Sequence, residues 1–153
     1  ENEQIEVLAQ FKDGYVVRVK QWQENGTPRW DVGYMEGKVG IEGMPYKRPK
    51  AVEYAHGPAT LWHENGQKKG EGNWKDGKLM SAVGWKPNGE KCPVTSLKDG
   101  NGLLALWHVN GQKSSEAKFK NGKREGRMIY YNYDGTEMGS IKYMDGERIY
   151  DFD

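Results

Sequence analysis

The sequence predicts an all-β fold, one elongated antiparallel meander of repeated β-hairpins. Three observations predict it. Two sets of turn signals ending in glycine alternate along the chain. A large, mostly aromatic residue stands at a fixed distance before each. Glycine, at 21 of 153 residues, is about twice as frequent as usual.

The first set reads Glu24-Asn25-Gly26, Glu64-Asn65-Gly66, Pro87-Asn88-Gly89, Val109-Asn110-Gly111 and Tyr133-Asp134-Gly135. Four residues before those glycines stand Trp22, Trp62, Trp85, Trp107 and Tyr131. The second set reads Lys12-Asp13-Gly14, Met35-Glu36-Gly37, Lys75-Asp76-Gly77, Lys98-Asp99-Gly100, Lys120-Asn121-Gly122 and Met144-Asp145-Gly146. Three residues before these stand Phe11, Tyr34, Trp74, Leu97, Phe119 and Tyr143. The common period is 22 to 24 residues, except that Gly37 and Gly77 lie 40 apart. Asn-Gly and Asp-Gly are strong hairpin signals because their backbone must tolerate positive φ. Legs of about eleven residues leave a strand of six to eight plus a turn, too short for a helix and its loops.

Taken in order, hairpins are expected over residues 10–37 and 57–147. Between them, Lys38 to His56 breaks the pattern with Gly40, Gly43, Pro45 and Pro49, and reads as a loop insertion. Residues 147–153, with Ile149, Tyr150 and Phe152, read as a cap pairing along the last hairpin. The whole chain is expected to form one repeat domain. Three-residue loops, each closed by a left-handed glycine, would place Trp62 and Trp74 on one face, and Leu97 and Trp107 likewise. A sheet poor in aliphatics should gather its aromatics that way, so three-residue loops are expected throughout, with Trp62, Trp74, Trp85 and Trp107 as core rows. Legs of twelve or thirteen residues need an added bulge or a longer turn.

Composition supports folding without a thick aliphatic core. Phe, Leu, Ile and Val make up about one residue in six, a level at which disorder becomes a fair expectation. Net charge of only +1 and 12% aromatic residues oppose it. Balanced charge gives no general reason to expect nucleic acid. No run approaches the roughly eighteen apolar residues of a membrane-spanning helix. Cys92 is the single cysteine, which excludes an internal disulfide and a cysteine-cluster zinc site. The chain starts at Glu1 with no signal-peptide pattern, so it is expected to be cytoplasmic, or exported with its leader absent from this sequence.

Aromatic-x-x-Asn-Gly followed by aromatic-x-x-Asp-Gly resembles the MORN repeat, in the variant found in bacterial proteins labelled YwqK-family antitoxins. The stretch WKPNGEKCPVTSLKDGNG, from Trp85 to Gly102, is especially similar to a recurring segment of those proteins. The resemblance covers about residues 10–37 and 57–147. It implies a non-catalytic protein that binds a protein partner, and in its specific form an antitoxin that masks a toxin. The MORN name also implies a membrane-associated or lipid-associated scaffold as the alternative. A third reading, an exported hydrolase, would require a deep pocket with convergent polar groups.

The residues themselves offer little for catalysis. His63 and His108 occupy equivalent repeat slots, but their strands are about four apart, near 19 Å, too far to share one ion. His56 could approach His63, yet no carboxylate or thiol completes a ligand set, so all three read as solvated or edge histidines. Asp13, Asp76, Asp99, Asp134 and Asp145 are explained by turn chemistry. Cys92 lacks an evident base and reads as a packing residue. No catalytic residue, metal site or cofactor is expected. Lys118, Lys120, Lys123, Arg124 and Arg127 cluster around Gly122 and read as a solvated face. Loops on rigid scaffolds often hold function, so the expected contact residues are Tyr46, Lys47, Arg48, Lys50 and Tyr54 in and beside the insertion.

Overall fold

The computed structural model describes residues 7–13, 15–34 and 54–150. Within them lie twelve strands: β1 (Val7–Lys12), β2 (Tyr15–Trp22), β3 (Pro28–Tyr34), β4 (Ala55–Trp62), β5 (Lys68–Lys75), β6 (Lys78–Gly84), β7 (Gly102–Trp107), β8 (Lys113–Lys120), β9 (Lys123–Arg124), β10 (Gly126–Tyr131), β11 (Glu137–Met144) and β12 (Glu147–Ile149). Strands β1 to β6 pair in chain order as one antiparallel sheet. Strands β7, β8, β10, β11 and β12 continue in a second, with β9 beside β8. The all-β meander of consecutive hairpins is therefore present, divided into two sheets. Residues 35–53 connect β3 to β4, which pair directly, Trp30 opposite Leu61 and Tyr34 opposite Ala55. At the far end Glu147–Ile149 pairs along Lys142–Met144.

The two turn sets differ in kind, and this corrects the expectation of three-residue loops throughout. In the Asn-Gly set the glycine is left-handed, as at Gly66 with φ 83°. Its N–H bonds back to the residue after the aromatic, Gly66 to His63 at 3.0 Å, while His63 N–H bonds Gln67 at 2.8 Å. That is the three-residue loop closed by a bulge. In the Asp-Gly set both residues are left-handed, for example Asp76 at 50° and Gly77 at 78°, and Lys75 pairs directly with Lys78. These are two-residue turns whose twist suits flanking strands.

Losing one residue at every second turn reverses the parity. Gly57 pairs with Trp74, and alternation along β4 then sends Trp62 to the other face. Trp107 likewise lies opposite in parity to Leu104, which packs with Leu97. The aromatic rows thus divide between two faces.

The buried core is made of aliphatic residues and one ring, Phe119, with further rings around it. One cluster joins Leu79, Ala82, Leu97, Ala117 and Phe119, flanked by Trp74, Leu104 and Met128. A second has Val16 and Val19 at its centre, with Ala9, Trp30, Tyr34 and Tyr54 against it. Trp62, Trp74, Trp85 and Trp107 are all only partly buried. Two rings are instead covered by cations of the preceding unit, Trp85 by Lys68 at 5.7 Å and Trp107 by Lys86 at 5.1 Å.

Between the sheets the chain from Lys91 to Lys98 should have been one more strand. Pro93 removes a ladder donor there, and only isolated bridges remain, Trp85 with Lys91, Ala82 with Leu97 and Lys98 with Asn101. The seam is closed by other means. Cys92 N–H bonds Gly84 at 2.7 Å and Ser96 N–H bonds Leu103 at 2.9 Å. The Thr95 hydroxyl accepts from Ala105 N–H at 3.2 Å. Gly84 allows this approach, since a Cβ there would lie 3.0 Å from Thr95 Oγ1 and 3.1 Å from the Ala105 carbonyl.

Candidate functional site

The Asn-Gly loops stack at one end of the sheets, and side chains bind the first loop to the second, the second to the third and the fourth to the fifth. In each, the Asx oxygen accepts from the N–H two residues on, as Asn65 does from Gln67 at 3.0 Å. The carboxamide nitrogen then donates to the following loop: Asn25 to Glu64 at 3.0 Å, Asn65 to Pro87 at 2.9 Å and Asn110 to Tyr133 at 2.6 Å. The slot after each aromatic repeats the device. Gln23 donates to the His63 carbonyl at 3.2 Å, His63 Nε2 to Trp85 at 3.0 Å and His108 Nε2 to Tyr131 at 2.8 Å. A carbonyl can only accept, so both imidazoles carry their proton on Nε2.

This corrects the expectation of solvated or edge histidines for His63 and His108, while His56 is exposed. His63 is 3% exposed, and His108 is partly buried with its ring stacked on Tyr133, centroids 4.2 Å apart. Burial holds the His63 pKa below the usual 6.5; its bond to the Trp85 carbonyl opposes this and the charge of Lys69 adds to it. His56 serves the opposite end, where its Nδ1 accepts from Asp76 N–H at 3.3 Å. Asn101 and Glu125 accept in the same way from Asn121 and Asp145, each across 20 residues. The histidines are parts of the repeat.

The loops closed by Gly26, Gly66, Gly111 and Gly135 are each followed by a bulge. Gln21 pairs with Trp30 and Trp22 with Pro28, which leaves Arg29 as the extra residue. Leu61 pairs with Gly70 and Trp62 with Lys68, which leaves Lys69. A bulge re-aims a side chain out of alternation. Both cations now line, with Trp22, Trp62 and Trp107, a cavity of about 530 Å³ beside the stacked loops. Arg29 is exposed and Lys69 half-buried. Among the described residues neither forms an ion pair with a carboxylate. Glu24 and Glu64 line the cavity from the loop tips. Burial lowers the Lys69 pKa, and the nearby Arg29 lowers it further by more than Glu64 restores.

Cys92 occupies the same slot in the third unit, three residues after its loop glycine, but it faces the seam. It is 3% exposed, and Thr95 Oγ1 approaches its sulfur at 3.3 Å. Burial raises the thiol pKa, while the Thr95 hydroxyl and the neighbouring N–H dipoles outweigh that and leave it below 9.0. No group of three His, Cys, Asp or Glu side chains among the described residues could hold a metal ion.

Of the contact residues expected from the sequence, Tyr46, Lys47, Arg48 and Lys50 lie outside the described residues. Tyr54 packs against Val16 and Val19 beside Trp30 and Tyr34. Arg29 and Lys69 were missed. Their signal was present in the sequence: both stand three residues after the loop glycines Gly26 and Gly66, in adjacent units. No protein-family model matches the chain, and neither a curated protein nor a solved structure is significantly similar to it.

Proposed function

We propose that the protein is a non-catalytic binding module that holds a protein partner at the end of the sheets where the Asn-Gly loops stack. The observation behind this reading is the cavity walled by Trp22, Trp62 and Trp107, in which Arg29 and Lys69 lack carboxylate partners among the described residues. Tryptophan and arginine are the side chains that most often dominate protein interfaces. The polar groups around them are consumed by bonds between loops, which pre-orders the surface and reduces the entropy lost on association. In its specific form, drawn from the resemblance to YwqK-family proteins, the partner is a toxin and binding masks it.

A pull-down with the full chain from the cells that make it should recover a stoichiometric protein. The Trp62→Ala variant, folded by circular dichroism, should lose it. Co-expression with the recovered protein should relieve any growth arrest that protein causes alone. Recovery of the bait by itself across salt conditions would overturn the binding role. A recovered partner with no effect on growth would overturn only its antitoxin form.

A further inference from the structure

The cavity has a chemical character that narrows the partner. Its walls include three indoles, flat apolar surface suited to an aromatic or aliphatic side chain. Its cations come from two adjacent bulges, and repulsion between them is not relieved by any ion pair among the described residues. Glu24 and Glu64 also line the cavity, and Glu64 offsets part of the repulsion at Lys69 without forming an ion pair with it. Two cations without carboxylate partners, set beside an apolar wall, suit an anion carried on an apolar body more than a bare, strongly hydrated ion.

We propose that this cavity is a carboxylate site for an acidic segment of a protein partner, with an Asp or Glu against Arg29 and Lys69 and a neighbouring bulky side chain among Trp22, Trp62 and Trp107. The inference rests on the binding role proposed above and names the chemistry of its partner. Arg29 supplies a planar fork able to take a carboxylate in two parallel bonds, and Lys69 supplies a point charge. Removing either cation should weaken binding by about tenfold, the usual scale for one charge-assisted bond.

The probe is a blocked peptide, acetyl-Gly-Phe-Asp-Gly-amide, titrated into the full chain while the indole N–H resonances are followed by NMR. The indoles of Trp22, Trp62 and Trp107 should shift saturably while that of Trp74, packed beside the Leu79 cluster and absent from the cavity wall, stays in place. The Asn counterpart of the peptide should bind about tenfold more weakly. Arg29→Gln and Lys69→Gln should each reduce the affinity, and added salt should reduce it further for the wild type. Arg29 is exposed, so its variant will fold, and the mapping on the wild type requires no variant. Equal binding of the Asp and Asn peptides would overturn the proposal. So would absence of indole shifts, equal shifts with inorganic phosphate alone, or Arg29-dependent capture by phosphatidylserine vesicles in place of the peptide. A partner retained undiminished by Arg29→Gln and Lys69→Gln would sink this site while leaving the binding role intact.

Discussion

A single carboxamide at Asn65 performs two tasks: its oxygen closes its own loop and its nitrogen reaches the Pro87 carbonyl of the next. Asp134 stands in the equivalent slot of the Tyr133-Asp134-Gly135 loop. There only the acceptor is used, from Thr136 N–H at 2.9 Å. His63 shows the same economy with a titratable group. Its native pKa lies below 6.5, so above that pH the imidazole is neutral in both states and its contribution is complete. As pH falls through 6.5 toward the native value, the unfolded chain takes up a proton that the folded one resists, and stability is lost. His63→Gln should remove this component while keeping a donor for the Trp85 carbonyl, since Gln23 already works in that slot. Urea midpoints above and below pH 6.5 test it: the wild type should lose more stability on acidification than the variant. Equal losses would mean that His63 is not the titrating group.

At the scale of strands and turns, the repeat was legible and its handedness of face was not. The glycine and aromatic spacings located every described hairpin. Both turn sets end in Asx-Gly, however, and Asx tolerates left-handed backbone at Asp76 and right-handed backbone at Asn65 alike. Local sequence therefore could not separate two-residue from three-residue loops. Register decided it, and register belongs to the paired strands. The bulges at Arg29 and Lys69 escaped notice for the same reason, and with them the cavity. The histidine bonds escaped because a main-chain acceptor leaves no mark in the sequence. The turn assignment makes a comparative prediction. Gly111 and Gly100 are both left-handed, at 85° and 77°, but a Cβ on Gly111 meets open space while one on Gly100 meets Gly122 N at 2.5 Å. Gly111→Ala should cost about 1 kcal/mol of backbone strain. Gly100→Ala should cost about 2 to 4 kcal/mol, because a backbone clash is added to the strain. Chemical denaturation of both variants checks this, and equal losses would refute the close stacking of the Gly100 and Gly122 turns.

For the whole molecule, the seam at Cys92–Thr95 is where two sheets become one body. Leu79 N–H bonds Gly122 at 2.9 Å and Gly122 N–H bonds Gly100 at 2.7 Å, so the β8–β9 turn also clasps β6 across it. Cys92 reports on that clasp. It is 3% exposed, so burial restricts the access of a reagent to its sulfur. Alkylation by iodoacetamide should be slowed by roughly 10³-fold or more against a free cysteine peptide, and should accelerate only as the protein unfolds in urea. Fast labelling without denaturant would mean that the sheets separate on their own.

The bonds between successive loops have a genealogical consequence. Asn25, Asn65, Asn110, His63 and His108 all address main-chain carbonyls, which every amino acid possesses. A duplicated unit is thus accepted by its predecessor whatever side chains it later acquires, and selection need guard only the donor. Such a chain can lengthen by copying and diverge by drift, free to vary the bulge positions where Arg29 and Lys69 now stand.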